Sequence, residues 1–257
     1  MSSLLAVISP AKLLDDQIHY PDLKCSQPVF IKEAESLVQL LRKLDLKTLQ
    51  NLLDASPAIA QESMQRFQSW KKPFTHQNAF PAILMFRGEV YRGMQAVEFS
   101  PKELQFAHEN LRILSGLYGV MRPLDLVSPY RLMMGTPIKI SATAKNLYQY
   151  WEEKITSEIK RSLDKKGMLL NLASDEYFKA INLKTLDRRV IHCEFKEKKG
   201  DKYVVTSTYA KLARGKMARF FIENEIAHPE DLRAFEVDNY AYNAKLSNSE
   251  HFVFTRG

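Results

Sequence analysis

Short apolar runs alternate along this chain with longer stretches whose apolar residues recur every three to four positions. That interleaving restricts it to an α/β fold, a mixed β-sheet flanked by helices in one domain over residues 1–257. Leu4 to Ser9 reads as a buried strand stopped by Pro10. Leucines from Leu37 to Leu53 predict two helices broken near Asp45, and Ser56-Pro57 opens a third that runs to Trp70. Ile83 to Phe86 reads as a strand. Ser100-Pro101-Lys102-Glu103 is a capping box with proline at the first helical position, and Leu104, Ala107, Leu111 and Leu114 extend one apolar face from it. A helix over about 145–165 carries Leu147, Trp151, Ile155 and Ile159. Met168 to Ala173 reads as a strand, and Arg189–Phe195 with Tyr203–Tyr209 as a hairpin. A helix over about 210–224 and strands at Val237–Tyr242 and Phe252–Thr255 complete the pattern.

Composition narrows the function classes. With 45% hydrophobic and 26% charged residues the chain can bury a sizeable core. Thirty-seven Lys and Arg against 30 Asp and Glu give net +7, which favours anionic partners without choosing among them. Two cysteines, Cys25 and Cys193, and six dispersed histidines offer no metal-ligand spacing, so no metal site is expected. No motif implies a cofactor. No stretch approaches the ~20 apolar residues of a membrane span, and no leader precedes the first strand, so the expected location is cytoplasmic, with no membrane partner.

Polar clusters follow two strands. One is Ile8-Ser9-Pro10-Ala11-Lys12, the other Asn171 to Tyr177 with Ser174, Asp175 and Glu176. Ligands in open α/β sheets bind beyond the carboxyl ends of strands, so Lys12 and Asp175/Glu176 are candidates for one edge. A helix cap at Ser174 or Asp175 and a solvated Lys12 are the plainer alternatives.

Ser115 to Asp125 differs in kind. Gly116 and Gly119 permit close backbone approach and free N–H groups that could hold a phosphate. Arg122 beside Pro123 sits on a stiff backbone suited to clamping an oxyanion, and Asp125, Tyr130 and Arg131 follow. Further on, Lys211, Arg214 and Arg219 fall within about 140° of a helix circumference at ~100° per residue, opposite Ala213, Met217 and Phe220. Tyr118, Tyr177 and Tyr209 lie near these basic groups in sequence, a mixture that suits bases and phosphates together.

ISPAK (Ile8–Lys12), FRGEVYRGM (Phe86–Met94), LSGLYGVMRPLDLVSPYRLMMG (Leu114–Gly135), LYQYW (Leu147–Trp151), NLASDEYFK (Asn171–Lys179) and YAKLARGKMARFFIEN (Tyr209–Asn224) resemble, in this order, the bacterial YaaA peroxide-stress family. The resemblance implies limitation of iron-driven oxidative damage and DNA binding through a basic cleft and a helix-hairpin-helix-like element. Leu111 to Leu126 is the segment that best approximates that element, with one extra residue between its glycines.

Two functions follow from these residues. In the first, Lys12, Gly116, Gly119, Arg122, Arg131, Lys211, Arg214 and Arg219 contact DNA phosphates without reading sequence. In the second, an anionic small molecule of nucleotide type is the substrate. Asp175 or Glu176 is then general acid or base, while Arg122 and Lys211 hold a phosphate. Direct iron binding by an oxygen-only set, Asp125, Asp175 and Glu176, is a third reading with less behind it.

Overall fold

The computed structural model describes residues 2–18, 20 and 23–257. The chain opens with β1 (Ser2–Ile8) and a two-residue β2 (Leu13–Leu14), then α1 (Ile31–Leu41), α2 (Leu46–Leu53) and α3 (Pro57–Ser69). Next come β3 (Phe80–Pro81), the single turn α4 (Ala82–Met85), β4 (Phe86–Arg87), α5 (Glu89–Met94) and α6 (Pro101–Asn110). The middle of the chain holds β5 (Leu111–Ser115), β6 (Gly119–Met121), β7 (Leu126–Val127), α7 (Leu147–Ser162) and β8 (Leu163–Asn171). Two short helices, α8 (Asp175–Phe178) and α9 (Leu183–Leu186), lead to β9 (Val190–Lys199), β10 (Lys202–Val204), α10 (Ser207–Glu223), β11 (Ala241–Tyr242) and β12 (His251–Arg256).

One eight-stranded sheet dominates, in the order β11-β12-β9-β8-β1-β5-β6, with β10 on β9. β12, β9, β8, β1 and β5 are parallel; β6, β10 and β11 pair antiparallel. Leu4 to Ile8 are 0–1% exposed, as a central parallel strand covered on both faces requires. The sheet is therefore the expected mixed one, with helices packed on it.

Capping explains where the helices begin. Ser100 accepts from Glu103 N at 3.3 Å while the Glu103 carboxylate accepts from Ser100 N at 2.7 Å. Where α6 stops differs from the helical spacing. Leu111 and Leu114 leave the helix, because Leu111–Ser115 pairs with β1 on one side and β6 on the other and is wholly buried. Asn110 Nδ2 donates to Phe106 O at 2.9 Å across the last turn. Leu111–Leu126 is consequently a β-hairpin and its return, not a helix-hairpin-helix, since no helix follows the turn. Ile83–Phe86 likewise is one helical turn entering β4 rather than a strand. β8 begins at Leu163, α10 at Ser207, and only Ala241–Tyr242 of the expected 237–242 strand is paired as one.

The Gly116–Gly119 turn is sealed. Ser115 Oγ accepts from Leu117 N at 3.1 Å and Tyr118 N at 2.9 Å, and bonds the Tyr130 hydroxyl at 2.6 Å. Gly119 adopts φ +70°, and a Cβ there would meet the Trp151 ring at 2.7 Å. A Cβ on Gly116 would lie 2.4 Å from Leu132 O.

Candidate functional site

The connection leaving β1 leads to β5 on one side, and that leaving β8 leads to β9 on the other. A crevice opens where the two directions part, beyond the carboxyl ends of adjacent strands. Here Ser174 N donates to Ser9 Oγ at 2.9 Å, and the two serine hydroxyls lie 3.2 Å apart. Ser174 thus stands at the start of α8 but makes no side-chain cap; its hydroxyl ties the two strand ends together.

A cavity of about 390 Å³ lies over this junction, within the size range of small-ligand sites. Lys12 enters from the β1 loop, Glu176 and Tyr177 from α8, Lys211 and Arg214 from α10, and Tyr91 from α5. Four residues from three distant motifs, Lys12, Glu176, Lys211 and Arg214, therefore converge. Lys12 and Lys211 are exposed at the rim and Arg214 is half-buried. Burial lowers the Arg214 pKa, opposed by the negative fields of Asp175 and Glu194. Among the described residues none of these three cations makes a salt bridge. Other cations nearby are neutralised: Arg87 pairs with Asp15 at 2.7 Å, Arg92 with Glu89, and Lys216 with Asp238. The free positive charge of this region is thus concentrated on the cavity.

The polar lining is fixed by hydrogen bonds. Gly135 N donates to Glu176 Oε1 at 3.0 Å, and the Tyr148 hydroxyl donates to Glu176 O at 2.9 Å. The Tyr91 hydroxyl donates to Ser9 O at 3.1 Å. Burial raises the pKa of both Tyr91 and Tyr177 well above the usual phenol value, so both present protonated hydroxyls.

The cavity is built from the ISPAK, FRGEVYRGM, NLASDEYFK and YAKLARGKMARFFIEN segments, and the match of the chain to known proteins runs through all of them. The family described as peroxide stress protein YaaA matches residues 4–246. The chain belongs to that family. A UPF0246 protein of Bordetella petrii is 42% identical over 255 residues, 98% of this chain and 99% of the relative. A UPF0246 protein of Polynucleobacter necessarius subsp. necessarius is 44% identical over 255 residues, 98% of each.

The remaining expected site residues lie elsewhere. Gly116 and Gly119 are buried, with the Leu117 and Tyr118 N–H groups satisfied by Ser115, so this turn offers no cradle to a phosphate. Arg219 bonds Glu98 at 2.9 Å and Glu223 at 2.7 Å and lies over the Phe99 ring; it pins α10 rather than facing the cavity. Arg131 follows Tyr130 outside the lining, with its Nε buried and unpartnered. Arg122 and Asp125 line a different cavity, so Asp125 cannot share a metal site with Asp175 and Glu176. Among the described residues no three His, Cys, Asp or Glu are grouped to hold a metal, and no helix is long and apolar enough to cross a membrane. Of the three tyrosines, Tyr177 reaches the cavity. Tyr118 is buried, accepting from Trp70 Nε1 at 2.9 Å, and Tyr209 packs on Arg256.

Ser9, from the polar cluster that follows the first strand, also lines the site, as do Arg87 and Tyr91, which the residue types alone do not mark out. The only signal for these two is their place within the FRGEVYRGM segment.

Proposed function

We propose that this protein counters peroxide stress by binding DNA at the switch-point cavity, one nucleotide unit at a time and without reading sequence, so limiting iron-driven damage to the strand. The observation that carries this reading is the convergence of Lys12, Lys211 and Arg214, unpaired, on one cavity. Rim lysines suit backbone phosphates as point charges, while the deeper guanidinium suits a bidentate contact. The volume fits a nucleotide rather than a duplex, so a duplex would meet the rim alone. The family's peroxide-stress description and the net charge of +7 support the same reading.

Replacing Lys12 and Lys211 together by alanine is expected to weaken binding of a labelled oligodeoxynucleotide uniformly across sequences. The slope of log K against log salt is expected to shrink by about 1–2, one contact per lysine. Anisotropy titrations at several salt concentrations read both quantities. Unchanged affinity and slope would remove the DNA reading.

Glu176 favours a second reading, in which a free nucleotide or nucleoside-like substrate reacts in the same cavity. A carboxylate held by Gly135 N among cationic groups is placed for proton transfer. In that case Glu176→Gln keeps oligonucleotide affinity yet abolishes peroxide protection of cells; full protection by the variant refutes it.

A further inference from the structure

We propose that Arg112 and Arg122 form a second anion site, beside the edge of the sheet closed by β6, which takes a compact oxyanion of the sulfate or phosphate class. It shares no lining residue with the switch-point cavity and does not depend on the function proposed for that cavity.

The hairpin register creates the pair. Ile113 opposes Met121 across β5 and β6, so Arg112 and Arg122 stand one step further along, opposite one another. Both line a cavity of about 230 Å³ and an adjoining one of about 350 Å³. Arg122 is exposed at its mouth, whereas Arg112 is only 4% exposed.

Arg112 is the decisive residue. Its Nη1 donates to the carbonyls of His108 (3.2 Å), Glu109 (3.2 Å) and Leu111 (2.8 Å), and its Nη2 to Ser162 Oγ at 3.1 Å. Every one of these acceptors is neutral. Its Nε is buried without a hydrogen-bond partner, and Arg112 makes no salt bridge among the described residues. A buried cation is normally matched by an opposite charge in contact with it.

The acids nearby are already engaged. Asp125 accepts from Ser26 Oγ at 2.5 Å and from Arg122 N at 2.8 Å, and Glu158 pairs with Arg161. Two guanidinium groups, one buried and one at the mouth, therefore face a cavity whose carboxylates, Asp125 and Glu158, make no salt bridge to either of them among the described residues. The planar fork of Arg122 matches the geometry of a tetrahedral oxyanion, and Arg112, with Nη1 and Nη2 already donating to the protein, has its Nε left to donate.

Sulfate is the probe, because its charge is constant across the pH range of interest. Calorimetric titration of the whole protein with sodium sulfate, at constant ionic strength against a sodium chloride control, is expected to show saturable binding. Arg122→Ala, at an exposed position and checked for native circular dichroism, is expected to weaken it about ten-fold or more. Lys47→Ala, at an exposed position that lines neither cavity, is expected to leave it unchanged. No saturable binding beyond chloride, wild-type affinity in Arg122→Ala, or an equal loss in Lys47→Ala would each overturn the proposal.

Discussion

Gly215→Ala is expected to lower the melting temperature by ~5–10 °C and to cost the switch-point cavity its ligand affinity. In an ordinary helix interior the same change is favourable by ~1 kcal/mol, because alanine loses less backbone entropy than glycine. Here the added methyl would lie 1.9 Å from Val90 O and 2.8 Å from Val90 C, contacts with backbone that no rotamer can relieve. The reciprocal position is as tight, since a Cβ on Gly93 would meet Leu212 O at 2.3 Å. α5 and α10 therefore touch backbone to backbone, and one must move. Overpacking of this kind typically costs ~1–3 kcal/mol and occasionally more, which outweighs the propensity gain. The functional consequence follows from the lining: α10 carries Lys211 and Arg214, and α5 carries Tyr91. Separating the helices widens the cavity between them. Thermal melts and oligonucleotide titrations on Gly215→Ala and Gly93→Ala test this; a variant as stable as the parent or more so would show that the approach is not rigid.

Much of this arrangement could be read from local chemistry. β1 announces itself because five consecutive apolar residues between Ser3 and Ser9 are too short for a helix and suit a strand buried on both faces. α6 announces its start through Ser100, Pro101 and Glu103, and α7 its buried face through Leu147, Trp151, Ile155 and Ile159. The end of α6 was not legible in the same way. Leu111 and Leu114 satisfy helical spacing from Leu104 as well as strand burial, and only pairing with β1, more than 100 residues earlier, decides between them.

Charge shows the same division. Lys211 and Arg214 reach the cavity as the helix face predicts, but Arg219 is drawn off by Glu98, 121 residues away in sequence. Arg112 was invisible for the opposite reason. It sits inside an apolar run, and nothing local distinguishes a stray surface arginine from one buried against Ser162. The Ser9–Ser174 contact, 165 residues apart, likewise exists only once β1 and β8 are neighbours.

Opposite pH effects on stability are expected from Asp125 and His108, and in the parent protein they offset one another in part. Burial pushes the Asp125 carboxyl up to about 6, against the pull of the Ser26 and Arg122 hydrogen bonds and of the Arg122 and Arg112 charges. Burial and the charges of Arg122 and Arg112 push the His108 imidazole down to about 4. A carboxyl with a raised folded-state pKa holds its proton in the native state after the unfolded chain has lost it. Its stabilisation is complete below the unfolded value of 3.8 and disappears as pH rises through 6. A histidine with a depressed pKa does the reverse: its stabilisation is present above the unfolded value of 6.5 and is lost as pH falls through 4. At 1.36 kcal/mol per pKa unit the Asp125 limb amounts to ~3 kcal/mol. The His108 limb has the opposite sign over almost the same window and is smaller than its shift alone implies, because the ring is partly open to solvent and screened. Urea unfolding of the parent between pH 4 and 6.5 is thus expected to depend less steeply on pH than that of His108→Gln. Asp125→Asn removes the falling limb, so its stability is expected to rise across the window. His108→Gln removes the rising limb, and its stability is expected to fall across the window by ~3 kcal/mol. Parallel pH profiles in the parent and both variants would mean that neither group carries its shift into the folding equilibrium.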